Sequence, residues 1–507
     1  MWSDFLPFDP VALLFPAAPL LMALAALLTF RHAATAQRLA GWLCLPVAFL
    51  ALAAAPADPL GGLMLALTAF IGWVILRYSD RYLANHPRRP AYLRGLLLTL
   101  AAVWALVGAN HLLVLVLAWA ATDVFLHGLL TFFRERPAAV LAARKRLLAV
   151  WTANGLLLAG SLWLYARFGT FALDGLAQAI ATPGGHAGLT GPALLITLGV
   201  LLKSAQLPVH GWILQVMEAP TPVSALLHAG IVNIGGFVLL RLAGLLEAAP
   251  VAQALLVTAG GLTAGLAALV MMTRVSVKVM LAWSTCAQMG FMLLEIGLGA
   301  YPLALLHLLA HSLYKAHAFL AAGGTARRLT RLPTTRAGQN LPFAGLALGL
   351  AGLAAVAWLA GLDPRQEPAM VVLGLALLTG LTPLLRAALA GGATVRLRLA
   401  VSSFGLVLAY AVWHHLFSAV LPAAAATPSA VWLALPALGL VLLLIVQETV
   451  ITRPDGALAR RLHPLAFAGF HLDEGMTRLT LRLWPGSARP AATPTTAVLP
   501  PLSREPV

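Results

Sequence analysis

The sequence predicts an all-α polytopic membrane protein of about fifteen transmembrane helices. Three observations carry that prediction. Apolar residues make up 61% of the 507, charged residues only 10%, and mean hydropathy is +0.89. Water-soluble domains are about half apolar and a quarter charged, so this chain must use lipid as a solvent. In lipid the backbone must satisfy its own polar groups, which leaves helices or a closed barrel. The apolar runs continue for about 17 to 24 residues without alternation, so they read as helices.

Taken in order, the candidate spans are residues 11–30, 39–56, 60–77, 93–109, 112–133, 147–166, 191–217, 223–246, 251–272, 278–299, 303–322, 341–361, 369–390, 399–420 and 429–447. Asp4 and Asp9 precede the first one and no Lys or Arg occurs before Arg31. That is the wrong lead for a cleaved signal, so the first span is expected to be retained. Basic connections at 31–38, 77–94, 134–146, 274–278, 327–336, 386–398 and 453–461 alternate with neutral or acidic ones. With an odd span count every basic connection falls on one side, which the positive-inside rule makes cytoplasmic. The N-terminus is then expected outside and the C-terminus inside. The same placement assigns the net charge of +16 to topology, with the lipid bilayer as partner and no nucleic acid. Residues 1–447 form the expected transmembrane domain, 448–484 an amphipathic cytoplasmic segment and 485–507 a Pro- and Ala-rich disordered tail. Within the segment, 457–484 mixes Arg with Leu, Phe and Trp, a pattern that suits membrane-surface anchoring and partner docking equally.

The seventh span is interrupted. Its apolar first half ends in KSAQLPVHGW, where Pro208 lacks a backbone donor and is expected to break the helix in mid-membrane. Broken membrane helices place their ends, and freed backbone groups, at ion sites.

Cationic residues number 29 Arg but only four Lys: Lys145, Lys203, Lys278 and Lys315. Lys145 falls in a basic connection and needs no special reading. The other three lie inside spans or at their edges. Arg stays charged, whereas a buried Lys can give up its proton, so Lys is the suitable cation for proton transfer. Charge inside a bilayer costs at least a few kcal/mol per residue, so it usually has a use. His307, His311 and Lys315 repeat every fourth residue and make one polar stripe, near Tyr314 and His317. Asp123 and His127 are also four apart and within reach of each other. Glu218 and His228 flank a Pro-Thr-Pro turn. Lys278 opens the tenth span, followed by Ser284, Thr285 and Gln288. Together these nine ionisable groups (Asp123, His127, Lys203, Glu218, His228, Lys278, His307, His311 and Lys315) suggest lateral proton or cation transfer along the membrane centre. His414 and His415 have no assigned role. Cys44 and Cys286 form no metal spacing or disulfide framework, and no nucleotide or dinucleotide fingerprint occurs. No cofactor is expected in this chain.

KSAQLPVHGWILQVMEAPTPVSALLHAG resembles the signature of the proton-translocating subunits of respiratory complex I and of Mrp-type cation/proton antiporters. VKVMLAWSTCAQMGFM and HLLAHSLYKAHAFLAAG resemble the family's next two motifs, and the likeness covers roughly residues 60–400. It implies two inverted five-helix repeats with broken helices, and functional residues at Lys203, His228, Lys278, His307, His311 and Lys315. Two departures stand out. The family's glutamate after a Trp in the fifth span is Ala120 here, following Trp119, with Asp123 one turn later as its expected replacement. The family's twelfth-span lysine is absent, with Asp363 and Arg365 near the outer end instead.

AGFHLDEGMTRLTLRLWP is similar to the tail of membrane subunits of DAB-type inorganic-carbon accumulation complexes. That likeness implies a multi-pass protein of the bacterial inner (plasma) membrane. It implies a large cytoplasmic partner related to zinc β-carbonic anhydrases, with zinc and catalysis in the partner and not in this chain. Flow of protons or sodium through the chain would drive conversion of CO2 to bicarbonate. Two other readings remain open: a complex I-like or Mrp-type antiporter subunit, and a non-conducting membrane anchor.

Overall fold

The computed structural model describes residues 10–215, 218–325 and 429–485, with isolated positions between 372 and 418. The spans expected at 341–361, 369–390 and 399–420 lie wholly or mostly outside the described residues. Asp363, Arg365, His414 and His415 lie outside them entirely, as does the tail from 486 on.

The described residues are helical, with a single isolated β-bridge between His111 and Ala172. Nine helices among them are long and apolar enough to cross a membrane. In chain order the α-helices among the described residues are α1 (Pro10–Leu28), α2 (Ala33–Ala54), α3 (Pro59–Tyr82), α4 (Arg89–Val107), α5 (Leu112–Leu130), α6 (Pro137–Phe168), α7 (Leu173–Ala181), α8 (Thr190–Lys203), α9 (Gly211–Gln215), α10 (Thr221–Leu226), α11 (Ile234–Arg241), α12 (Ala243–Glu247), α13 (Pro250–Met271), α14 (Val277–Gly297), α15 (Tyr301–Thr325), α16 (Ala430–Thr452), α17 (Ala457–Phe467) and α18 (Glu474–Leu483). α1 and α8 are the shorter apolar helices among the expected spans. Large side chains such as Trp42, Phe49 and Trp151 stay exposed, as a lipid-facing surface allows.

Helix ends follow local chemistry. Asp58 caps α3, accepting from Gly61 N at 3.0 Å, and Pro59 occupies the first turn, where its missing N–H costs nothing. The Asp58 carboxylate also pairs with Arg241 at the end of α11, which ties α3 to α11 at that end of the bundle. α13 and α14 approach at Gly260 and Gly290. A Cβ on Gly260 would stand 2.5 Å from the Gly290 carbonyl, so glycine is what permits this contact.

Four features differ from the sequence expectations. First, residues 134–146 are only partly a connection. α6 starts at Pro137 and runs 32 residues, which puts Arg144, Lys145 and Arg146 on a helix. Lys145 is fully buried, so the plain reading given to it is corrected. Second, the connection at 167–190 contains the amphipathic α7. It is stitched back to the start of α5 by Leu112 N to Phe171 O at 2.8 Å and by Asn110 to Asp174 at 2.5 Å. Third, the eighth span is not a continuous α-helix. Leu227–Ile231 forms a π-turn between α10 and α11. Fourth, residues 457–484 lie back on the chain itself. Lys145 Nζ bonds Asp473 at 2.6 Å, and Arg274 donates to the carbonyls of Ala466 and Phe467 at 2.8 and 2.6 Å.

The expected break in the seventh span is present, displaced toward its start. α8 stops at Lys203, five residues before Pro208, and Ala205 takes a left-handed conformation with φ of 52°. Backbone groups freed at membrane depth must find partners. Leu207 N donates to Thr263 Oγ1 of α13 at 3.2 Å, and the Gln206 side chain donates to Ser204 O at 2.8 Å. α9 then resumes at Gly211.

Candidate functional site

Asp123, in the middle of α5, is 6% exposed and sits at the centre of a charged cluster. One carboxylate oxygen accepts from Arg146 of α6 at 2.5 Å; the other lies 2.8 Å from Lys203 Nζ at the end of α8. Asn154 of α6 adds a third contact at 3.3 Å. Lys203 also faces the Trp119 ring at 4.2 Å, and the Arg146 guanidinium lies 5.6 Å from the ring of Trp212 on α9. A buried carboxylate left alone would be costly, and two cations with an amide donor offset that cost. His127 is one turn along α5, but the Asp123 oxygens are bonded to Arg146, Lys203 and Asn154. It lines an open cleft of about 400 Å³ with Arg134 and Arg144.

A second cluster occupies α14, α15 and the π-turn. His228, within that turn, is wholly buried and stacked on Phe319 at 4.3 Å. Its Nδ1 is 3.1 Å from Thr285 Oγ1, and the Thr285 hydroxyl donates onward to Leu281 O at 3.1 Å. The Thr285 oxygen is therefore the acceptor, and His228 Nδ1 carries the hydrogen. The same Leu281 carbonyl accepts from Lys315 Nζ at 3.1 Å, so Lys315 and the Thr285 hydroxyl that His228 contacts share one backbone oxygen. π-turns recur at functional sites, and here the turn contains the span's one histidine. His311, one turn before Lys315, is buried, and its ring lies 6.2 Å from that of His307. His307 in turn contacts Glu295 at 2.9 Å and Gln288 at 2.6 Å.

Small polar residues join the two clusters. Ser204 follows Lys203, and its Oγ fills the space where a Cβ on Gly235 of α11 would go. Asn233, just before α11, bonds Ser312 of α15 at 2.6 Å, between His311 and Lys315. All three are fully buried. A band of buried polar residues thus lies in an otherwise apolar bundle from α5 to α15.

Seven of the nine sequence candidates lie on or beside this band: Asp123, His127, Lys203, His228, His307, His311 and Lys315. The other two stand at its edge. Glu218 forms a half-exposed pair with Arg136 at 3.2 Å, and Lys278 donates to the Thr221 hydroxyl at 2.9 Å. Sequence reasoning missed three participants. Arg146 was hidden among connection arginines, and Asn154 gave no signal. Glu295 carried one, a lone carboxylate in the apolar stretch GFMLLEIGLG. Among the described residues no group of three or more His, Cys, Asp or Glu is placed to hold a metal ion.

A bundle of membrane helices with a broken span and a buried row of Lys and His defines an antiporter-like membrane subunit. The family described as NADH:quinone oxidoreductase/Mrp antiporter matches residues 109–362. A probable inorganic carbon transporter subunit DabB of Hydrogenovibrio crunogenus is 41% identical over 431 residues, 83% of this chain and 82% of that protein. The subunit DabB2 of Halothiobacillus neapolitanus, given the same description, is 35% identical over 86% of this chain and 81% of its own length. Among solved structures, a chain of the Mrp complex from Dietzia sp. DQ12-45-1b superimposes with a TM-score of 0.57 at 26% identity. That match covers 94% of this chain but 56% of the longer Dietzia chain. This chain belongs to the NADH:quinone oxidoreductase/Mrp antiporter family, in the group that contains the DabB subunits.

Proposed function

We propose that this chain is the ion-motive membrane subunit of an inorganic-carbon uptake complex and that it passes protons along the polar band. The observation that carries this reading is the pair of buried lysines, Lys203 and Lys315, with the buried polar residues His228, Thr285, Asn233 and Ser312 in the same bundle. Each lysine touches groups that remain satisfied after it loses a proton. Lys203 leaves behind an Asp123–Arg146 pair, and Lys315 a neutral carbonyl. Asp123, Lys203 and His228 form the entry relay, and Lys315, His311 and His307 continue it. His127, Glu218 and Lys278 stand beside the Arg-rich end of the band.

The similarity to DabB subunits, and the basic connections on one side, support a bacterial inner membrane with the C-terminus cytoplasmic. The partner is a cytoplasmic zinc subunit related to β-carbonic anhydrase, which holds the metal and performs CO2 hydration. The broken seventh span links the two: Asp473 of the tail packs directly over Gly211 of α9. A change at Lys203 would therefore be felt at the surface the partner meets.

The test is gradient-driven bicarbonate accumulation by cells carrying the full complex. Lys203→Met and Lys315→Met are each expected to cut accumulation about a hundredfold at normal membrane abundance. Full accumulation in Lys203→Met, with an assembled complex, would sink the reading in favour of a passive anchor.

A further inference from the structure

Glu295 is the one buried carboxylate of the band that neither the sequence motifs nor the relay above employs. It lies in the last turn of α14, two residues before the helix ends, and is 5% exposed. That end is opposite the Arg274 and Lys278 end of the same helix. Its Oε2 is 2.9 Å from His307 Nδ1, and the other ring nitrogen of His307 is 2.6 Å from Gln288 Oε1. The Phe291 ring, 5.7 Å from the imidazole, closes the site on its own helix.

Its partner sets Glu295 apart from the other paired carboxylates of the bundle. Asp123 is held by Arg146 and Lys203, and Asp58 by Arg241. Among the described residues Glu295 contacts no Lys or Arg. The cation it meets is His307, which is a cation only when it carries a second proton. A purely structural ion pair is better served by arginine, whose charge never changes. Gln288 completes the arrangement. Its amide offers oxygen to an N–H or, turned over, its NH2 to a bare ring nitrogen, so both states of the imidazole find a partner. The remaining ionisable groups nearby are His311 on α15 and, beyond the turn, Tyr301 and Glu247. Next to Glu295, Leu294 and Leu298 pack against Trp432 and Leu433 of α16, an apolar wall without charge.

We infer that Glu295, His307 and Gln288 form a proton-holding terminal site, through which the band communicates with the membrane face opposite the basic connections. The inference rests on the proton-relay reading above and gives that relay its missing end. Glu295 and His307 share one proton, either as imidazolium with carboxylate or as neutral imidazole with carboxylic acid. The acid form exchanges its proton with water at that membrane face, which restores the carboxylate and balances the step.

The experiment measures bicarbonate accumulation by cells carrying the full complex, as a function of pH on the side opposite the basic connections. Glu295→Gln is expected to insert normally, to lower the rate about tenfold and to flatten that pH dependence. Glu295→Asp should recover most of both, and His307→Gln should behave as Glu295→Gln does. A wild-type rate and pH profile in Glu295→Gln, with Lys203→Met inactive, removes Glu295 from the path and leaves the relay standing. A lowered rate with the wild-type pH profile also overturns the inference, since packing alone would produce it. Should Glu295→Gln fail to insert, His307→Gln decides by the same two readouts. If Lys203→Met is also fully active, it is the relay itself that falls.

Discussion

Asp123 shows how one displaced carboxylate can be re-housed. Trp119 is followed by Ala120, where the family resemblance places a glutamate, and the carboxylate sits one turn later. From there it reaches Lys203, as a replacement for the family's glutamate would, while Trp119 packs its ring on the same ammonium; the spacing alone places it beside His127 instead. Arg146 was not legible, because an arginine nine residues after Pro137, among the other arginines of a basic connection, looks like a topological charge until the start of α6 is known. Lys145 was misread for the same reason. The structure orders the cost of substitutions here. Asp123→Asn leaves Arg146 and Lys203 buried without an anion and should cost about 3 kcal/mol of stability. Lys203→Met leaves Asp123 with Arg146 and should cost clearly less. Thermal unfolding of the two purified variants in the same detergent checks the order, and equal losses would contradict it.

At the scale of elements, the break in the seventh span was legible through Pro208, yet the helix ends earlier because Ala205 turns left-handed right after Lys203 and Ser204. The π-turn was not legible. LLHAGIVNIGGF has no proline, and its apolar pattern suits a plain helix equally well. The stripe on α15 was readable because a spacing of four survives in any straight helix. The docking of 457–484 onto the bundle was unreadable, since one buried pair, Lys145 with Asp473, joins positions far apart in the chain. That pair and the glycine beneath it give a test. A Cβ at Gly211 would come within 1.6 Å of Asp473 Oδ1, so Gly211→Ala should lift the tail as effectively as Asp473→Asn. Limited trypsin digestion of membranes should then cut at Arg460 and Arg461 several-fold faster in both variants. Unchanged cleavage in Gly211→Ala would show that the tail is held elsewhere.

For the whole molecule, composition alone fixed the solvent, and run length fixed the element type, because a bilayer tolerates few alternatives. Charge alternation then gave an orientation that cysteine labelling can test. In a chain with Cys44 and Cys286 replaced by Ser, a membrane-impermeant maleimide applied to intact cells should label His186→Cys. Asp455→Cys should be labelled only after the cells are opened. The reverse pattern would invert the inside and outside assigned here. Lateral adjacency was the part no run length or charge count could supply. The placing of Ser204, Asn233 and Ser312 in the core between the two clusters depends on tertiary packing of residues that are individually unremarked in sequence.

For the entry relay proposed above, Arg146 bears on which ion can be admitted. Beside Asp123 it is a fixed counter-ion, so the carboxylate is neutralised whether or not Lys203 holds its proton. The three groups together carry one positive charge or none, and never a net negative one. Both carboxylate oxygens are already engaged, so a hard metal cation arriving there would meet neither a vacant oxygen nor an attractive field. Moving the carboxylate one turn from position 120 and giving it a permanent arginine makes the entry a place where the lysine's own proton is the charge free to leave.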